Sequence, residues 1–275
     1  MRTRKWIQGG LGLAGCLAAS AAWAHNPVFA PGPHVLYKGG VEIAPQTTRS
    51  EAGSRRETES LLNLAYGITG DWSAGVELPY VDRETAAASA RGRGDVQLFT
   101  KYRFWRHDTP GAQESAALTL KVNLDTAKEN TTPALGSGGA TDATLGVANG
   151  YESRKWYRWA AFRYRRNGTT DAGLERGDKV FVDLVGGIRL KPTGYLEPDT
   201  VWMLELNGEY SARSKLNGVE LTNSGGTEWF LSPGLMWTYR NYAIKAGVQV
   251  PIASNLNGVQ DESDYRARLV FEVHL

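Results

Sequence analysis

Charged side chains recur at alternate positions along this 275-residue chain. Lys101 and Arg103, Arg163 and Arg165, Glu205 and Glu209, and Arg266 and Arg268 each share one face if the backbone is extended, because successive strand side chains point to opposite faces. Lys121, Asp125, Asp183, Arg189, Lys245 and Glu272 stand in the same relation to apolar neighbours. With Lys38, Glu42, Glu59, Glu77 and Asp95 on the same faces, the two signs nearly balance. If these faces line a water-filled interior, opposed charges set a transverse field that selects solutes by size and dipole. The alternative is pairing across strands, which narrows the interior. Both readings stay open at this point. Arg163, Arg165, Arg266 and Arg268 form a basic cluster suited to organic anions.

The histidines are His25, His34, His107 and His274. A lipid hydrolase built in a barrel needs a His, a Ser and an orienting polar group held together. All four histidines fall near strand ends rather than beside a mid-strand serine, and no Gly-x-Ser-x-Gly elbow occurs. The expectation is therefore a protein without catalytic residues or cofactor, with the hydrolase kept as the less favoured alternative. If the chain is cut after Ala24, the α-amine and imidazole of His25, with His34 nearby, offer ligands for a borderline metal. Four unrelated histidines and no metal site is the simpler reading. Cys16 is the only cysteine, so the remaining chain has neither disulfide nor thiolate site.

The elements that would position these charges are strands. Residues 1–24 read as an export signal: Arg2, Arg4 and Lys5, an apolar stretch, then Ala22-Trp23-Ala24. Leu13-Ala14-Gly15-Cys16 resembles a lipobox and leaves lipidation at Cys16 as a second possibility. Without the three basic residues of the signal, 28 basic residues face 29 acidic ones, which gives a nucleic-acid partner no support. Residues 25–275 show period-two alternation, no helical period and no linker, so one domain is expected.

About twelve strands follow: His34–Pro45, Glu59–Thr69, Trp72–Asp82, Asp95–Arg106, Ser115–Asp125, Asp142–Glu152, Trp156–Arg165, Lys179–Leu190, Val201–Tyr210, Thr227–Tyr239, Tyr242–Ile252 and Tyr265–Leu275. Short connections such as Gly70-Asp71 and Arg240-Asn241 alternate with longer polar ones, among them 46–56, 83–94 and 126–141. Trp72, Phe104, Trp105, Trp156, Trp202, Tyr239 and Tyr242 sit near the short turns; Tyr80, Tyr164, Tyr210, Trp229 and Tyr265 sit near the long loops. Two aromatic belts, alternating faces and unequal loops are the signature of a transmembrane antiparallel up-and-down β-barrel. The final strand would form the seam with the first.

One stretch goes beyond periodicity. Tyr66-Gly67-Ile68-Thr69-Gly70-Asp71-Trp72, continuing through Gly75-Val76-Glu77-Leu78-Pro79-Tyr80-Val81, then Gly94-Asp95-Val96 and Lys101-Tyr102-Arg103, resembles the outer-membrane transporter family grouped under the MetA pathway of phenol degradation. Gly67 and Gly70 read as tight-turn residues. The resemblance implies an outer-membrane barrel with an uptake role and assigns no site residue. The reading is passive passage of small solutes, including aromatic or hydrophobic compounds or organic anions. A closed structural or surface-interaction barrel is the alternative. The implied partners are outer-membrane lipid and lipopolysaccharide, periplasmic chaperones, the barrel-assembly machinery and a small-molecule solute.

Overall fold

Period-two alternation becomes strand along most of the chain. The computed structural model describes residues 26–129, 131–194 and 196–275. The predicted export signal, its cleavage site and His25 lie outside the described residues. Sixteen strands follow in order: β1 (Val41–Ala52), β2 (Arg55–Thr69), β3 (Trp72–Glu84), β4 (Ser89–Arg93), β5 (Gln97–Thr109), β6 (Ala112–Asn123), β7 (Asp142–Ser153), β8 (Trp156–Arg166), β9 (Leu174–Glu175), β10 (Lys179–Ile188), β11 (Asp199–Ser211), β12 (Lys215–Leu216), β13 (Val219–Glu220), β14 (Gly226–Tyr239), β15 (Tyr242–Leu256) and β16 (Tyr265–His274). The short β4 extends β3 as an outer-loop hairpin, and β9, β12 and β13 make a small separate sheet among the long loops.

The other twelve strands build the wall. Each pairs antiparallel with its neighbours, and β1 pairs with both β2 and β16, so the sheet closes on itself. At the seam Glu42 faces His274 and Glu51 faces Tyr265. Closure leaves no edge strand, which is what a spanning sheet requires in a solvent without hydrogen-bond donors. The outer surface carries Leu118, Leu145, Phe162, Leu184, Leu204 and Leu269, all exposed. The charged members of the alternation point inward, where Asp183, Glu205, Lys245 and Glu272 are buried. Trp72, Trp105, Trp156, Trp202 and Tyr242 ring the short-turn end, and Tyr80, Tyr164 and Tyr210 ring the other.

A charge on the lipid face tests this orientation. Leu206 lies outward on β11, opposite Leu184 and Leu231. Leu206→Arg is expected to lower barrel stability by about 2–4 kcal/mol, read as a shifted urea midpoint after refolding into bilayers. An unchanged midpoint would place that face in water.

Three expectations need correction. The first strand starts at Val41, not His34, and it runs through the predicted 46–56 loop to Ala52. The outer half of β1, Gln46–Ala52, is polar on both faces; its backbone is satisfied by ladders to β2 and β16 rather than marked by apolar alternation. Asp125 lies beyond the end of β6 at Asn123. Its carboxylate accepts from the Gly139 N–H at 3.0 Å and so ties down an outer loop rather than lining the wall. Gly67 is not a turn residue: it sits at a bulge in β2, packed against the chain that leads into β1. A Cβ there would lie 1.9 Å from the Tyr37 carbonyl oxygen.

Candidate functional site

The interior of the barrel is not empty. Residues 26–36 run inside it, ahead of β1, and 37–40 pass along the rim. Their sequence, Asn-Pro-Val-Phe-Ala-Pro-Gly-Pro followed by His34, cannot join the ladder well, because Pro27, Pro31 and Pro33 lack the N–H a central strand donates. Such a segment needs its polar groups satisfied elsewhere, and the inward charges do this. Both Glu205 oxygens accept from the segment: Val28 N–H at 2.8 Å, Phe29 N–H at 3.2 Å and 3.3 Å, and Ala30 N–H at 2.9 Å. Lys101 Nζ donates to Asn26 Oδ1 at 3.1 Å and to the Gly32 carbonyl at 2.9 Å. Lys245 Nζ reaches the Asn26 carbonyl at 3.2 Å, and Arg268 donates to the Val28 carbonyl at 3.1 Å. The Gly32 N–H returns to Asn26 Oδ1 at 2.9 Å, folding the segment into a loop.

This strap packs apolar side chains as well as polar ones. Val28 and Ala30 join Tyr157, Trp159, Val185, Val201, Met203 and Met236 in a buried cluster. Gly234 makes room for it, since a Cβ there would lie 2.9 Å from Val28 Cγ2. His34 is buried with its Nε2 on Glu152, whose carboxylate also accepts from Trp159 Nε1 at 2.9 Å. At the rim, Gly39 and Gly40 pair with Gly67 through backbone bonds of 2.8 Å and 2.9 Å. The Tyr37 hydroxyl donates to the Leu275 carbonyl at 2.7 Å.

Most remaining interior charges pair across strands. Arg163 meets Asp183 at 2.8 Å, Arg165 meets Asp142 at 2.5 Å, Lys121 meets Glu77 at 2.6 Å and Arg189 meets Asp199 at 2.5 Å. Arg266 pairs with Glu209, and Lys245 with Glu272. Arg103 binds Asp71 at the short turn after β2, at 2.7 Å. Asp183 also accepts from Asn207 Nδ2 at 2.8 Å, and Asn207 Oδ1 accepts from Ser232 Oγ at 2.7 Å and Gln249 Nε2 at 2.9 Å. Guanidinium groups lie over phenylalanine rings at three places: Arg163 over Phe181, Arg266 over Phe230 and Arg268 over Phe29, at 4.7, 4.5 and 5.0 Å.

Arg268 differs from its neighbours. Its side-chain bonds go to Thr48 Oγ1 at 3.1 Å and to the Val28 carbonyl. Among the described residues, no carboxylate lies within 4.0 Å of it. It therefore has charge to spare for a ligand, while Arg163, Arg165 and Arg266 are engaged.

The strap lines two adjoining cavities. One cavity of about 350 Å³ is lined by His34, Leu36, Phe99, Lys101, Lys121 and Arg163, among others. Another of about 310 Å³ is lined by Phe29, Gln46, Glu59, Lys245, Arg268 and Val270, among others. An open vestibule of about 670 Å³ at the short-turn end includes Asp108, Arg154, Tyr157, Arg189 and Arg240. Interior space therefore remains beside the strap.

Of the charged residues set on these faces from sequence, Glu42, Glu59, Glu77, Lys101, Lys121, Arg163, Arg165, Lys245, Arg268 and Glu272 line the two cavities and Arg189 the vestibule, whereas Asp95 and Asp125 hold outer-loop amides and Lys38 is exposed ahead of β1. The structure brings Lys101, Glu205, Lys245 and Arg268 together on the strap, and sends Arg163 with Asp183 and Arg266 with Glu209 to opposite pairings. His34 is on the strap, His107 stacks on Trp105 at 6.4 Å, and His274 Nε2 lies 3.7 Å from Glu42 and 3.8 Å from Glu272. The strap itself was missed. Its available signal was three prolines in seven residues just ahead of the first strand, a composition that resists the ladder.

No curated protein matches the chain. Among solved structures it resembles the COG4313 outer membrane channel from Pseudomonas putida F1 at 14% identity and a TM-score of 0.74, covering 90% of this chain and 99% of that one. It also resembles the NanC porin at 12% identity and a TM-score of 0.50, covering 85% of this chain and 100% of that one. These likenesses show the fold of an outer-membrane barrel, and the closed apolar-faced wall places the protein in that membrane. The family described as "Putative MetA-pathway of phenol degradation" matches residues 24–260, most of the described barrel and its strap, and the chain belongs to it.

Proposed function

We propose that the protein is an outer-membrane channel for small solutes, with small organic anions, aromatic ones included, passing most readily. The observation that carries this reading is the space left beside the strap. Two adjoining cavities lie against a strap of chain inside a closed wall, and the one mid-lumen guanidinium without a carboxylate within 4.0 Å among the described residues lies over the ring of Phe29. A cation and an apolar face together match a molecule with a carboxylate at one end and a ring at the other. The COG4313 relative is itself described as an outer membrane channel, which supports the coarser part of the reading. Passage needs no cofactor, only the shape and charge of the interior.

The strap also favours a second reading, a structural barrel closed for good. Liposome swelling separates the two: a channel admits small sugars or benzoate, and a closed barrel admits neither. Charge reversal tests the anion preference. Arg268→Glu with Arg266→Glu is expected to move the zero-current potential in a salt gradient toward cation preference. An unmoved potential in a conducting channel would remove these arginines from the pathway.

A further inference from the structure

Glu205 is a carboxylate with no Lys or Arg within 4.0 Å among the described residues. It is completely buried. What holds it is three consecutive backbone N–H groups, Val28, Phe29 and Ala30, spread over both oxygens at 2.8–3.3 Å. Consecutive amides turned toward one point form a concave anion receptor. Arg268 stands beside it, bonded to the Val28 carbonyl and lying over the Phe29 ring. The cavity of about 310 Å³ opens beside the same residues, so a ligand has room to approach.

We propose that the Val28–Ala30 amides and Arg268 form a carboxylate-binding site for which Glu205 is the resident internal ligand and for which a small organic carboxylate entering the lumen competes. The chemistry recognised is a carboxylate with both oxygens free to accept, bearing a flat apolar group that can lie against Phe29. The site belongs to the strap, so exchange of Glu205 for a solute carboxylate would release the strap from β11 while keeping its amides satisfied. No bond is made or broken in this exchange. This inference rests on the channel reading for its purpose, but not for its chemistry.

The test uses the refolded mature protein in micelles, with benzoate as probe and benzamide as its neutral counterpart. Benzoate affinity is measured by calorimetry, and amide exchange is followed on the segment Asn26–Leu36. Removing the competitor by Glu205→Ala is expected to tighten benzoate binding at least about tenfold, one charge-assisted hydrogen bond's worth. The same variant should exchange its segment amides at least about tenfold faster without benzoate, and benzoate should restore protection. Benzamide should do neither, and Arg268→Gln in the Glu205→Ala background should abolish the benzoate effect. Glu205→Gln keeps the volume and one acceptor oxygen, so it serves if the alanine variant does not fold; its benzoate affinity should also exceed that of the wild type. Benzoate affinity unchanged by both substitutions, or protection by benzamide equal to that by benzoate, overturns the proposal. Neither readout needs solute to cross. Impermeable liposomes together with tight benzoate binding would sink the channel reading and leave the site standing.

Discussion

A chain that begins at Lys38 is expected to fold into the same barrel and to conduct several-fold more current than one that begins at His25. The wall does not depend on the strap. Its twelve strands are held by continuous backbone ladders, including the β1–β16 seam that starts at Glu42. The strap fills the middle of the lumen, and its backbone occupies Glu205, Lys101, Lys245 and Arg268. Without it the space it fills joins the cavities beside it, and four charged groups turn to water. Unpaired charges in a wet lumen cost far less than in a dry one, because water supplies the lost partners. Planar-bilayer recordings and far-UV circular dichroism of the refolded variant check this. Unchanged conductance with an intact β spectrum would mean that ions take a route the strap does not block.

The second large effect is on stability. Asp183→Leu is expected to destabilise the barrel by about 3–5 kcal/mol, because removing one partner leaves the other's charge buried without compensation. Asp183 is almost completely buried and joins β10 to β8 through Arg163 and to β11 through Asn207. Asn207 in turn holds Ser232 on β14 and Gln249 on β15, so one carboxylate anchors a network across five strands. The double variant Asp183→Leu, Arg163→Leu should recover part of the loss, since the stranded guanidinium goes too. Urea titrations of the two variants and the wild type in bilayers measure it. A single variant no less stable than the double one would show that Arg163 finds another partner at no cost.

Much of the wall was legible because lipid imposes a period of two. Leu184, Leu204 and Leu269 must face the membrane, and Asp183, Glu205 and Arg268 then have nowhere to point but inward. The clean strands were placed to within a few residues for that reason. Where both faces meet water the period fades, and β1 shows it. Thr47, Arg49 and Glu51 lie outward, yet nothing apolar marks them as strand. Val35 and Tyr37 happened to continue the alternation backwards, which put the predicted start of β1 seven residues early. The strap left no periodic trace, because its burial depends on partners over 60 residues away, such as Lys101, and 177 away, such as Glu205. Charge balance could be counted from sequence. Which charges bind each other, and which bind chain, needed the fold.

The seam has a kinetic meaning as well. Every neighbouring pair in the wall except β1–β16 joins strands that are consecutive or separated by a single loop, so hairpins can form locally and add one at a time. The pairing of Glu42 with His274 is different, for it closes nearly the whole chain into a ring. For an unstructured chain of that length the closure entropy is about 5 kcal/mol, and hairpins formed beforehand lower it. Until that last pairing forms, β1 and β16 each present an open edge able to bind another chain. Folding speed, and the hazard of mispairing, therefore concentrate in one event at the two ends of the wall. The backbone bonds between Val41 and Leu275, 2.8 Å and 3.0 Å long, are the last clasp of that ring.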